Sequence, residues 1–112
     1  MVKIEAVIQP SKLDNAREAL SNIAIDGMTV SEVRGCGRQK GHKEVYRGQE
    51  YQVDLLHKIK LEMVVSSDRK DEVIRALAEA VRTGAIGDGK IFVSDVESAI
   101  RIRDDSRGES AL

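Results

Sequence analysis

Residues 57–65 constrain the fold most. His57, Ile59, Leu61, Met63 and Val65 fall on one face of an extended chain, and Lys58, Lys60, Glu62 and Val64 on the other. Side chains of a strand alternate between faces, so this pattern predicts a strand packed on one side. A packed side needs a cover. Just downstream, Val73, Ile74, Leu77, Ala80 and Val81 make an apolar stripe at helical spacing, with Ser67 or Asp68 placed to cap the helix. Ile91-Phe92-Val93 then reads as the next strand. The same order occurs earlier in the chain. Val2–Ile8 alternates, and Pro10 stops it because proline cannot donate to a sheet ladder. Ser11-Lys12-Leu13-Asp14 has capping-box spacing with Asp in place of Glu. Leu13, Ala16, Leu20 and Ile23 recur at helical spacing, Gly27 resets the chain, and Met28–Val33 reads as a strand. The order β-α-β, loop, β-α-β predicts an α+β, ferredoxin-like split βαβ fold (βαββαβ). Ala99–Arg103 reads as a short further strand, and residues 104–112 as a loose polar tail.

Composition supports one domain over residues 1–112. Thirty Leu, Ile, Val and Phe residues exceed the roughly one-fifth share below which disorder sets in. The core is aliphatic, with one Phe, two Tyr and no Trp. Eighteen basic residues balance nineteen acidic ones, so no net field draws nucleic acid or an anionic membrane. A ferredoxin-like nucleic-acid module would stack bases on aromatic residues, and the predicted strands carry only Phe92. A single cysteine, Cys36, excludes an internal disulfide and a multi-cysteine zinc site, and is expected as a small buried residue. Apolar runs are too short for a membrane-spanning helix, and no signal-peptide core precedes Val2. A cytoplasmic protein is expected.

Residues 35–54 differ in kind. They hold four glycines and five Lys, Arg or His residues with little periodicity. A stretch this long without structure is uncommon inside a compact domain and usually functional or disordered, so a long projecting loop is expected.

Gly84-x-x-x-x-Gly89-Lys90 fits Walker A spacing until Ile91 stands where Ser or Thr would hold Mg²⁺. The context is also reversed, since a P-loop runs from strand into helix. One reading is a helix C-cap and turn. The other is an anion nest, in which glycines let backbone amides approach a phosphate while Lys90 adds charge. Arg101-Ile102-Arg103 sets two guanidiniums on one face of an extended segment, either solvated or gripping phosphate through bidentate forks. Lys58 lies on the non-core face, which is either solvated or lines a cleft. Glu62 could serve as a base in an ATP-hydrolysing enzyme, but the missing Walker hydroxyl argues against one.

Three stretches together closely resemble the PII signal-transduction proteins, a family of nitrogen regulators: Val33-Arg34-Gly35-Cys36-Gly37-Arg38-Gln39-Lys40-Gly41-His42, Tyr46-Arg47-Gly48-Gln49-Glu50-Tyr51, and Arg82 through Val93. The resemblance covers essentially the whole chain. It implies a homotrimer of ferredoxin-like subunits that is not an enzyme. ATP or ADP would bind in the clefts between subunits, with 2-oxoglutarate beside Mg-ATP. A flexible loop, here about residues 37–55, would dock on an ammonium channel or another transporter, which could recruit the protein to the membrane, or on a nitrogen-metabolism enzyme or regulator. Carried over by motif, Gly87, Asp88, Gly89, Lys90, Arg101 and Arg103 would hold the phosphates, and Arg38 would reach the γ-phosphate. Thr29, Gly35, Gly37 and Val64 would surround adenine and ribose. Gln39 would complete the Mg²⁺ shell. Lys58 would pair with a 2-oxoglutarate carboxylate, in a pocket shared with Gln39, Lys40 and Gly41. Tyr51 stands where many members are uridylylated or adenylylated, or is simply an exposed loop tyrosine.

The sequence also departs from the family pattern. Gln9 stands where Lys or Arg is usual, Ser11 and Cys36 replace phenylalanines, and Asp104-Asp105 replaces Thr-Gly. Loss of a cation at position 9 weakens the 2-oxoglutarate expectation more than the nucleotide one. It leaves open an adenylate energy sensor that serves another transporter.

Overall fold

Two β-α-β halves interleave into one sheet. The computed structural model describes residues 1–37, 43–46, 49–52 and 55–112, with backbone alone for 43–46 and 49–52. Strands β1 (Val2–Ile8), β2 (Thr29–Gly35), β5 (Leu56–Val65) and β6 (Gly89–Asp95) form a four-stranded sheet in the order β2-β5-β1-β6. Helices α1 (Leu13–Asn22) and α2 (Lys70–Val81) provide the crossovers. Each crossover leaves a gap one strand wide, and the first strand of the other half fills it. β5 therefore lies between β1 and β2, and β1 between β5 and β6, with every neighbouring pair antiparallel. This is the predicted split βαβ arrangement.

The register sorts the residues. Ile4 pairs with Met63 and Val93, and Glu5 with Glu62 and Phe92. The even residues of β1 and the odd residues of β5 are buried with Ala16, Leu20, Val73, Leu77 and Val81 of the helices. Ile4, Leu20, Leu61, Val73 and Leu77 are completely inaccessible. Among the described residues no helix covers the opposite face, which carries a charged grid: Lys3 to Glu62 at 3.7 Å, Lys60 to Glu62 at 3.4 Å and Lys60 to Glu5 at 3.9 Å.

Several local expectations are corrected. Neither helix has a side-chain cap. Each grows from a 3-10 turn, Pro10–Lys12 or Ser67–Arg69, whose backbone bonds Lys12 N–H to Gln9 O and Arg69 N–H to Ser66 O (both 3.0 Å) satisfy amides a capping side chain would serve. The left-handed residue after α1 is Ala24 (φ 61°), not Gly27. The amide of Ile25 donates to Leu20 O at 2.9 Å and that of Ala24 to Ser21 O at 3.0 Å, the bond pair of a Schellman stop. Within the expected loop, β3 (Lys43–Tyr46) pairs antiparallel with β4 (Gln49–Gln52) as a separate ribbon. No strand forms over 99–103. Ile100 bridges Arg107, residues 102–104 turn, and Gly108–Ala111 is a 3-10 helix rather than a loose tail. The turn forms because Asp105 takes a left-handed φ of 58° and donates its amide to Arg101 O at 2.9 Å.

Candidate functional site

The segment from α2 into β6 must reverse the chain within a few residues, and glycine makes that affordable. Gly84 (φ 87°), Gly87 (φ 104°) and Gly89 (φ 101°) all take left-handed conformations that L side chains resist. Gly89 is additionally pressed against β1, where a Cβ would lie 1.8 Å from Val7 O. Asp88 closes the turn from within. Its carboxylate accepts the amides of Thr83 at 2.9 Å and Gly84 at 2.8 Å, and the Thr83 hydroxyl. These bonds, the hydroxyl's first, hold the Asp88 carboxyl below its ordinary pKa. The side chain of Asp88 is thus committed to the turn.

The turn faces β5. Lys58 stands on the sheet face opposite the helices, yet it is only 9% exposed, and its ammonium donates to Gly87 O at 3.1 Å. Burial lowers its pKa, and the nearby Asp88 charge partly restores it. A cleft of about 570 Å³ opens here. Val7, Leu56, Ile86 and Phe92 make its apolar wall; Gly35, Cys36, Gly37, Gly87 and Gly89 bring backbone to its surface; Lys58 and Lys90 supply positive charge. Such a cleft suits a ligand with a flat apolar part and an anionic part.

Of the residues assigned from sequence, Gly35, Gly37, Lys58, Gly87, Gly89 and Lys90 therefore meet around one cleft, beside Asp88. Thr29 and Val64 do not join them. Thr29 pairs with Glu62 and Val64 with Lys3, whereas Gly35 pairs with Leu56. Six steps along β2 separate Thr29 from Gly35, or about 20 Å at the rise of a strand. Arg101 and Arg103 do not share a strand face, because that strand is absent. Arg101 is held by its own turn: its guanidinium donates to Ser110 O at 2.8 Å and lies 3.4 Å from Asp104 Oδ2, while Arg103 is exposed. Arg38, Gln39, Lys40 and Gly41 lie outside the described residues. Tyr51 pairs with Glu44 through its backbone in the β3–β4 ribbon, and its side chain is likewise outside the description.

Sequence reasoning missed the apolar wall. Val7 and Phe92 share the Lys58 and Lys90 face by strand alternation, so the register could have named them. Cys36 is exposed at the cleft rather than buried, because it follows the last residue of β2 and leaves the sheet there. Glu62 sits among Lys3, Lys60 and Glu5. The hydrogen bond it shares with Glu5, followed by the lysine charges, holds its pKa down, which suits a structural carboxylate better than a general base. A larger hollow of about 750 Å³ between α1 and β2 holds none of the assigned residues; Asp14, Glu18 and Asp26 outnumber its Arg17 and disfavour an anion. Among the described residues, no His, Cys, Asp and Glu group is placed to hold a metal, and no helix is long and apolar enough to cross a membrane.

Fold and cleft define the class: a ferredoxin-like α+β protein with a glycine-lined, lysine-floored cleft at one end of its sheet. Comparison with known proteins narrows this. The family model described as nitrogen regulatory protein P-II matches residues 1–106. Nitrogen regulatory proteins P-II of Pasteurella multocida and Haemophilus influenzae are 59% and 60% identical over 112 residues, covering each chain completely. Nitrogen regulatory protein P-II 1 of Escherichia coli is 54% identical, again end to end. A crystal structure of Arabidopsis thaliana PII bound to citrate matches with a TM-score of 0.81 and 40% identity, over 99% of this chain and 91% of that one. The chain belongs to the P-II family of nitrogen regulatory proteins.

Proposed function

We propose that this protein is a trimeric, non-enzymatic sensor that binds ATP or ADP in clefts between subunits and signals through the segment of about residues 37–55. The observation that carries the reading is the cleft itself, where the Gly84–Gly89 turn, Lys58 and Lys90 meet an apolar wall. The wall suits a base and the glycine turn suits phosphates. The separation of Thr29 and Val64 from this cleft supports a site completed by a second copy of the chain. So does the exposed apolar surface: Ile102 is 96% exposed, and Val30, Phe92, Val93 and Ile100 are exposed as well. Exposed apolar side chains on both edge strands and in the C-terminal turn offer contacts to neighbouring copies. In this arrangement the Arg101 and Arg103 of one subunit complete the phosphate site of the next.

2-Oxoglutarate binds beside Mg-ATP, with one carboxylate on Lys58. The buried ammonium supports this, because an incoming anion offsets its desolvation. The citrate of the plant relative is a polycarboxylate on the same fold. Arg38, Gln39, Lys40 and Gly41 would close the pocket and complete the Mg²⁺ shell, and Tyr51 would be open to nucleotidylation. ATP with 2-oxoglutarate favours one conformation of the docking segment and ADP another, so ligand and target are linked reciprocally. The target is a transporter, or an enzyme or regulator of nitrogen metabolism.

A second reading rests on Gln9. Gln9 directly follows Ile8, whose strand partner Ile59 is next to Lys58 in sequence, which supports a place for Gln9 near the lysine. A neutral amide stands there, so the carboxylate pocket has lost a cation, and the protein then reports adenylate state alone. Isothermal titration calorimetry with ATP and ADP, repeated with Mg²⁺ and 2-oxoglutarate, separates the readings. Binding of 2-oxoglutarate only with Mg-ATP supports the first, and nucleotide binding without it supports the second. Absence of binding by either nucleotide at millimolar concentration overturns both.

A further inference from the structure

The Arg101 guanidinium is held inside its own chain. One nitrogen lies 3.4 Å from Asp104 Oδ2, and the other donates to Ser110 O at 2.8 Å and to Leu112 O at 3.4 Å. Its backbone is tied as well, with its amide donating to Ser106 O and its carbonyl accepting from Asp105, both at 2.9 Å. Asp104 is positioned independently of the arginine. Its Oδ1 accepts the Ser106 amide at 3.1 Å and the Ser106 hydroxyl at 2.7 Å, which leaves Oδ2 aimed at Arg101. The turn is tied to the domain through Glu109, which accepts the Ser66 hydroxyl at 2.9 Å.

We propose that Asp104 is an internal competitor for the anion that Arg101 would grip, occupying the guanidinium until a phosphate displaces it. This rests on the nucleotide-binding reading above and adds an affinity-setting residue to it. The physics is an exchange. A guanidinium presents its donors in a fixed planar fork, and carboxylate and phosphate compete for the same edge. Asp104 keeps its place because Ser106 holds it, so its loss of freedom is already met before any ligand arrives. A phosphate must break the Arg101–Asp104 contact and then remain beside a displaced carboxylate. Both effects weaken binding, and the repulsion grows with the number of phosphate charges. Asp104 therefore narrows the advantage of ATP over ADP. Asp105, one residue on, has the same charge but serves the turn through its backbone conformation.

The test uses the full-length protein with Asp104→Asn and Asp105→Asn, titrated calorimetrically with ATP and with ADP at low and at physiological salt. Asparagine tolerates the left-handed backbone of position 105, and melting curves check that both variants fold. Exposed ion pairs are worth up to about 1 kcal/mol, so Asp104→Asn is expected to tighten ATP binding by about two- to fivefold. The gain is expected to be larger for ATP than for ADP, to shrink with salt, and to exceed the gain from Asp105→Asn. Unchanged affinity in Asp104→Asn overturns it while the nucleotide reading stands. Equal gains in both variants also overturn it, because general charge then explains the effect. Absence of binding in the wild type and both variants overturns the competitor and the nucleotide reading together.

Discussion

Three residues in and around the turn into β6 do separate jobs. Gly89 makes backbone contact possible: a Cβ there would meet Val7 O at 1.8 Å, at a φ of 101°. Gly89→Ala is expected to cost several kcal/mol and to unpair the Ile8–Gly89 end of the sheet, read by denaturant unfolding. Asp88 holds the turn closed through the Thr83 and Gly84 amides. Because its folded pKa is depressed, its stabilisation is fully present above the ordinary carboxylate range and is lost as pH falls through the depressed value. Asp88→Asn should abolish that acid dependence and speed hydrogen exchange at Thr83 and Gly84. An unchanged exchange profile would contradict the brace. Lys58 has the opposite sign. Its pKa is lowered in the free protein and would rise on binding a carboxylate, so 2-oxoglutarate affinity should fall as pH rises through the lowered value. Lys58→Met should weaken that binding by about ten- to 150-fold, the equivalent of the ~1.5–3 kcal/mol of a hydrogen bond to a charged group. Calorimetry at two pH values checks both statements.

At the scale of elements, what repeats was legible in the sequence and what depends on a partner was not. The alternation of β5 and the stripes of both helices placed the layers and the core, because burial on one face forces periodicity on the sequence. The glycine turn was legible because left-handed backbone selects a residue type. Where the backbone satisfies itself, that signal disappears. Ser11 and Asp68 had the right chemistry to cap, but the 3-10 entries made those caps unnecessary. Ala24 stops α1 in a conformation usually given to glycine, so the stop lies three residues before the glycine signal at Gly27. Ala24→Gly should therefore stabilise the protein by about 0.5–1 kcal/mol, seen as a rise in melting temperature. A fall would show that packing of the Ala24 methyl outweighs the strain. The β3–β4 ribbon was hidden because Lys43–Tyr46 and Gln49–Gln52 are short and show no clear alternation of apolar and polar residues. Asp105 concealed a turn for the same reason as Ala24: a left-handed residue that is not glycine.

At the scale of the whole molecule, the assigned residues divide into two groups within one chain. The cleft lies where β2 and β5 pair Gly35 with Leu56, and Thr29 and Val64 lie toward the other end. On the proposed reading, a site drawing on both groups needs two copies of the chain, and nucleotide binding would then depend on assembly. The most direct test mixes two crippled proteins. Lys90→Ala removes a cleft cation, and Thr29→Arg blocks the exposed far group; each homomeric protein should lose ATP binding. Unfolded and refolded together in equal amounts, they should regain binding at about a quarter of the sites, since half the clefts are intact and half of those face an intact neighbour in a closed ring. Binding that stays absent in the mixture would contradict a shared site, as would full ATP binding by a monomer.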